Sequence, residues 1–280
     1  MDEMVLIKDI PESVIESATR DVAACTIAFL RSQDTTKPHE ANLLGTGVLV
    51  SVRSKRAIVT ADHVAQELQK SSRIPLFLQR TSQVHSIDVG GVSIVRIARG
   101  TDAASGPDLA VIILAPSIAG SIAAIKSFHS LDALREKVLS GAFDLRDGFW
   151  LAQGFLEERT SVGLDRVEAG FTKYFYNFSG VGGPDTIDTV GNFDYLDFPV
   201  SHEVRPEDAP TSYGGMSGGG IWQVPLKRRD AEFMHLPPVL GGVMFYQHPT
   251  TDTQCGIRGH GPHSIYTAVY GAVKGEPSGI

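Results

Sequence analysis

The run Tyr213-Gly214-Gly215-Met216-Ser217-Gly218-Gly219-Gly220-Ile221-Trp222 sets one serine among five glycines. Glycine accepts φ > 0 and lets other atoms come close to its main chain. A serine needs both to act as a nucleophile. Its oxygen has to stand on a tight turn, with backbone N–H groups aimed at the oxyanion that forms when it attacks a carbonyl. The same stretch also fits a glycine-rich loop capped by serine. What separates the two readings is a histidine to take the proton and a carboxylate to orient that histidine.

Two other stretches offer these groups. Ala57-Ile58-Val59-Thr60 reads as a strand running into Ala61-Asp62-His63-Val64-Ala65. A histidine at a strand end is held firmly yet stays reachable; its plain alternative is a structural histidine. Gly106-Pro107 leads to Asp108, which abuts the wholly apolar Leu109-Ala110-Val111-Ile112-Ile113-Leu114. That setting suits a buried, hydrogen-bonded carboxylate, or a simple strand cap.

The elements that must carry these residues are mostly short strands. Pro11 to Arg20 reads as a short helix, with Glu12 and Glu16 near its start. Val22 to Leu30 is a continuous apolar run and a buried strand candidate. Arg31 to Asn42 is a polar loop, and Gly45 to Val52 a turn feeding a strand. Ser54-Lys55-Arg56 forms a charged hairpin tip. Further strands are expected over Pro75–Gln79, Val84–Val89, Val92–Ala98, Phe149–Phe155, parts of Arg166–Phe178, Phe193–Val200 and Leu240–Tyr246. Ser130 to Leu139 gives the clearest helix, with Ser130 as N-cap and Gly141 beyond its end. Ile265 to Lys274 reads as a strand passing into a final short helix. This pattern predicts an all-β fold of antiparallel barrels rather than βαβ units.

The chain has 280 residues, enough for one large domain or two small ones. A net charge of −7 argues against a nucleic-acid or anionic-membrane surface. The two cysteines, Cys25 and Cys255, are too few for a disulfide framework and read as reduced thiols. The acidic start Met1-Asp2-Glu3 lacks the features of a signal peptide. Leu109–Ile125 is uncharged, but it is shorter than a bilayer span and is interrupted by Pro116, Ser117, Gly120 and Ser121. A soluble, cytoplasmic protein is expected, with no membrane or nucleic-acid partner.

Side by side, Thr60-Ala61-Asp62-His63-Val64, Asp108-Leu109-Ala110-Val111 and Gly215-Met216-Ser217-Gly218-Gly219 arrive in the order His, Asp, Ser. Order and local patterns resemble the trypsin/chymotrypsin-like serine proteases, whose triad lies in T-A-x-H, D-(I/L)-A and G-x-S-G-G. Gly45-Thr46-Gly47-Val48-Leu49-Val50 resembles the family's strand before the histidine. Gly242-Val243 is similar to the strand after the serine, and Ile265-Tyr266-Thr267-Ala268-Val269 to its V-Y-T-x-V. The resemblance covers most of the chain from Val22 onward, with a looser match in the middle.

The resemblance implies two antiparallel six-stranded barrels: residues 22–128 with His63 and Asp108, and residues 146–264 with Ser217. A helical extension (1–21), a connecting helix (129–145) and a C-terminal strand and helix (265–280) complete the expected organisation. It implies Ser217 as nucleophile, His63 as general base and then acid, and Asp108 as the group that orients the imidazole. The N–H groups of Gly215 and Ser217 would form the oxyanion hole. The expected activity is that of a serine endopeptidase acting on protein or peptide substrates, with no cofactor and no metal.

Departures from the family pattern narrow this. Animal digestive relatives carry an aspartate just before the serine, which pairs with a new N-terminus after cleavage. Here Met216 stands there, so the loop must be held by glycine geometry, by packing of Met216, or by a regulatory protein partner. The polar residue that backs the catalytic aspartate is replaced by Phe245. Thr211 falls at the floor of the specificity pocket, and Tyr246, Gln247 and Ser264 fall along its walls, so a preference for Arg or Lys is not supported.

Three rival readings remain. An α/β-hydrolase shares G-x-S-x-G but needs Ser before Asp before His, and only residues 218–280 follow the serine. A protease-like domain that binds peptides without turnover is the second. A zinc site from His260, His263 and Cys255 is the third, on what reads as a polar loop.

Overall fold

The computed structural model describes residues 6–31, 41–78, 84–99, 106–141, 144, 146–165, 170–184, 186–201, 210–229, 232–248 and 254–276. Its architecture is two antiparallel sheets with a few short helices. The first sheet uses β1 (Thr26–Arg31), β2 (Asn42–Val52), β3 (Lys55–Thr60), β4 (Arg73–Phe77), β5 (Val84–Asp88), β6 (Val92–Ala98) and β7 (Leu109–Leu114). Their spatial order is β5-β4-β1-β2-β3-β7-β6, and β8 (His129–Ser130) pairs with β2 in parallel.

The second sheet uses β9 (Phe149–Phe155), β12 (Asn177–Gly182), β13 (Thr186–Val190), β14 (Phe193–Ser201), β15 (Gly220–Val224), β18 (Val239–Gln247) and β19 (Gln254–His260). They run in the order β12-β9-β15-β18-β19-β14-β13. A bridge between Gly182 and Val200 joins β12 back to β14 and closes six of these strands into a ring. Two ribbons stand apart, β10 (Ser161–Asp165) with β11 (Gly170–Tyr174), and β16 (Leu226–Arg229) with β17 (Glu232–His235). Continuous apolar runs make strands buried along their whole length. β9 and β15 are buried at every position, with Trp150, Trp222 and Phe155 among the largest fully enclosed side chains. Each such side chain contributes about 1.5–3 kcal/mol of burial.

Four expected elements differ. The N-terminal helix α1 spans Glu12–Ala24, and β1 starts at Thr26 rather than Val22. Ala18 and Val22 lie four apart and are both buried, so Val22 serves the helix face; the Thr26 hydroxyl then closes on the Val22 carbonyl at 2.9 Å. The helix packs on β1, β9 and β17.

The connecting helix is short. Helices α2 (Asp62–Leu68) and α3 (Pro116–Ala123) precede it, and α4 covers only Arg135–Leu139. Ser130 does not cap it, because His129 and Ser130 extend alongside Val50 and Ser51 of β2, and the Leu131 N–H continues the ladder to the Ser51 carbonyl at 3.0 Å.

Among its described residues the C-terminal segment contains no strand. It is helical from α5 (Pro262–Ser264) through a π-helical turn (Ile265–Val269) to α6 (Tyr270–Lys274). Asp194 accepts the N–H groups of His263 and Ser264 at 2.8 and 2.7 Å and so starts the helix. Ile265, Tyr266, Val269, Tyr270 and Val273 then form its buried stripe. The segment before it, read as a polar loop, is the strand β19, ladder-paired to both β14 and β18. Among the described residues no helix is long and apolar enough to cross a membrane.

Candidate active site

Antiparallel register brings His63 to Asp108. Thr60 at the end of β3 pairs with Ala110 near the start of β7, so the residues after one strand meet those before the other. His63 lies in the first turn of α2 and Asp108 directly precedes β7. The Asp108 carboxylate takes both donors that His63 presents: Oδ1 accepts the backbone N–H at 2.9 Å, and Oδ2 meets Nδ1 at 2.5 Å. With Nδ1–H donating to the carboxylate, Nε2 is left as the basic nitrogen. The Asp108 side chain is 9% exposed and the His63 ring 49%, so the orienting charge is shielded while the base stays reachable.

Ser217 arrives from the other sheet on two successive turns. Met216 N–H bonds to the Tyr213 carbonyl at 3.0 Å, and Gly219 N–H to that of Met216 at 2.8 Å. The third residue of each turn has φ > 0, +91° at Gly215 and +87° at Gly218, as a type II turn requires. Both glycines also answer to space. A Cβ on Gly215 would lie 2.2 Å from Leu43 Cδ2 and 2.8 Å from the Phe155 carbonyl oxygen. One on Gly218 would lie 2.1 Å from both the Thr46 carbonyl oxygen and Thr60 Oγ1. The serine loop therefore rests against the end of β3, where α2 and His63 begin. Ser217 is half-buried, and its hydroxyl makes no hydrogen bond to a described residue.

The two candidate oxyanion donors are set by their neighbours. Gly214 C=O accepts the Glu157 N–H at 2.9 Å, and Met216 C=O accepts that of Gly219. In a trans peptide the N–H points opposite its carbonyl, so the N–H groups of Gly215 and Ser217 face away from these anchors. Neither finds an acceptor among the described residues. Met216 is buried in the cluster with Trp150, Tyr213 and Met244.

Thr46 ties this loop to the first sheet. It is fully buried. Its N–H donates to the Ser217 carbonyl at 2.8 Å, and its Oγ1 donates to the Gly215 carbonyl at 2.8 Å while accepting the Phe155 N–H at 3.0 Å. The Gly-Thr-Gly pattern marks this stretch as a turn and strand and gives no sign of the Thr46 hydroxyl's role. Asp62 was also missed. Its buried carboxylate pairs with Arg96 Nε and a second guanidinium nitrogen, both at 2.6 Å, and accepts from Gln66 at 2.9 Å. This bidentate pair fixes the first turn of α2, and so His63, to β6.

The expected pocket residues separate. Thr211 is exposed and bound to Glu158, its Oγ1 donating at 2.7 Å. Gln247 Oε1 accepts the Tyr213 N–H at 2.8 Å, next to the serine turns. The half-buried Tyr246 ring lies against His248, centroids 5.3 Å apart. Ser264 turns inward: it is fully buried and its hydroxyl donates to Asp194 at 2.6 Å. Asp108 is backed not through Phe245 but by His260, whose Nε2 accepts the Asp108 N–H at 3.0 Å. His260 is thereby engaged, and no group of three metal-ligating side chains occurs among the described residues. The Cys255 side chain lies outside them.

No family model matches the chain, and no curated protein matches it. Among solved structures it is similar to one described by the words "Aromatic interactions drive the coupled folding and binding of the intrinsically disordered Sesbania mosaic virus VPg protein". Sequence identity is 15%, 92% of each chain is covered and the TM-score is 0.42, too low for that likeness to carry an argument.

Proposed function

We propose that this chain is a serine endopeptidase of the trypsin-like type, its two sheets acting as the two barrels that meet at the active site. The observation that carries the reading is the double hold of Asp108 on His63, with the serine loop set against the end of β3 and Ser217 flanked by two backbone N–H groups that find no acceptor among the described residues. In this reading His63 Nε2 takes the proton of Ser217 as its oxygen attacks the peptide carbonyl. The oxyanion is met by the N–H groups of Gly215 and Ser217, and the imidazolium, stabilised by Asp108, returns the proton to the leaving amine. Water then repeats the sequence on the acyl-enzyme.

A fluorophosphonate probe should label wild-type protein at Ser217 and leave Ser217→Ala unlabelled. Peptide hydrolysis should fall roughly 10⁴-fold or more in Ser217→Ala or His63→Ala, and the double variant should be little worse. Most of the turnover surviving in Ser217→Ala would overturn the proposal. One observation favours a second reading, a peptide-binding domain without turnover: the Ser217 hydroxyl has no hydrogen bond to His63. Catalytic hydrogen bonds often tighten only with substrate bound. Peptide binding by a wild-type protein that the probe never labels would select the second reading.

A further inference from the structure

His260 ends β19 and has no role in the chemistry just described. Its ring is fully buried in an aromatic box of Phe193, Tyr195 and Phe245, with centroids 5.4, 5.1 and 5.1 Å away. Nε2 accepts the Asp108 N–H, so in the neutral ring the proton sits on Nδ1. That Nδ1 is buried and has no partner among the described residues. An unpaired buried donor is costly, and a phenylalanine or leucine in the same box would avoid the cost. What the histidine supplies in return is an acceptor for the main-chain N–H of Asp108.

We infer that His260 is a positioning residue for the proposed reaction, a neutral imidazole that grips the backbone of Asp108 so that both carboxylate oxygens meet His63. It stands beside Phe245, which offers Asp108 no polar group. The inference rests on the protease reading for its kinetic consequence, although the hold itself does not depend on turnover. The groups facing His260 are Asp108 from the start of β7, Tyr195 from β14 and Arg258 from β19 itself. Burial is the largest influence and pushes the His260 pKa down to about 4; Asp108 opposes that shift and Arg258 adds to it. The ring is thus neutral at ordinary pH. Protonation would turn Nε2 into a donor facing another donor and release Asp108.

The test uses the whole chain with ¹⁵N-labelled histidine. In the wild type, the imidazole ¹⁵N shifts should show His260 as the Nδ1–H tautomer; an Nε2–H tautomer would overturn the inference with no variant needed. His260→Phe fills the box without an acceptor, and His260→Gln returns an amide oxygen to the reach of Nε2. In His260→Phe the low-field proton resonance of the His63–Asp108 hydrogen bond should move or broaden. kcat on a peptide should fall roughly 10–100-fold with KM little changed, and His260→Gln should restore most of both. A folded His260→Phe with wild-type kcat and an unchanged His63 resonance would overturn the inference. Should the wild type hydrolyse no peptide, the protease reading fails by itself, and the His63 resonance alone decides for or against the hold of His260.

Discussion

Thr46 shows how one hydroxyl joins two sheets. It satisfies the Gly215 carbonyl and the Phe155 N–H at once, and both partners line the serine loop. Valine has nearly the same shape without those bonds and would leave two buried polar groups unpaired. Thr46→Val should therefore cost about 1–3 kcal/mol in chemical denaturation. It should also lower kcat more than it raises KM, because the Gly215–Met216 peptide, which links the two candidate oxyanion donors, would lose its anchor. Thr46→Ser should recover most of both, and equal kcat in Thr46→Val and wild type would show that the loop needs no such tie. Cys25 is a contrasting case at the same scale. It is a buried, free thiol whose pKa is pushed up to about 11, chiefly by burial. A thiol so placed is a poor nucleophile. Native protein at pH 8 should leave Cys25 unmodified by iodoacetamide under conditions that alkylate it fully once the chain is unfolded, as peptide mass mapping would record.

Among the elements, α2 depends most on a charge. It has only seven residues and places His63 in its first turn, so its own hydrogen bonds cannot hold it. Asp62 and Arg96 supply the tether, with the carboxylate 1% and the guanidinium 21% exposed. Removing one partner of such a buried pair typically costs 3–5 kcal/mol, whereas replacing both with apolar groups of similar volume costs far less. Arg96→Met should accordingly lower the urea midpoint more than the double variant Asp62→Leu/Arg96→Met. If the single and double variants unfolded together, the pair would not be what fixes α2. The serine turns depend instead on backbone conformation. Gly215→Ala should destabilise the loop because φ +91° and the Leu43 contact both exclude a side chain.

Across the whole molecule, acid stability is tied to two histidines in different sheets, His260 fully buried and His129 half-buried. His129 on β8 lies edge-on to Trp222 at 5.0 Å, and its Nε2 has no partner among the described residues. Burial lowers its pKa from 6.5 to about 4, as it does for His260. A histidine whose folded pKa is depressed favours the folded state above its unfolded value of 6.5. That contribution fades as pH falls toward about 4, because the unfolded chain binds the proton first. Between these limits each histidine should remove about 1.4 kcal/mol of stability per pH unit. Denaturation at pH 7, 6, 5 and 4 should show a progressive loss that weakens when His129 is replaced by phenylalanine. A midpoint constant over that range would contradict the lowered pKa of both rings.

Local demands are what the sequence alone made legible. The glycines around Ser217 announce positive φ, the apolar run after Asp108 announces a buried strand, and Thr60 to His63 reads as a strand end. Each of these follows from a few adjacent residues. What only the tertiary structure decided involves residues far apart in sequence. The Thr46 hydroxyl meets a carbonyl 169 positions away, and His260 reaches an N–H 152 positions back. Neither Phe245 nor the pattern around His260 reveals which of them backs Asp108, since that depends on how β18 and β19 pair. The helical C-terminus is a similar case. Ile265, Thr267 and Val269 favour a strand by type, but Asp194, brought alongside by β14, caps a helix there and buries its apolar stripe.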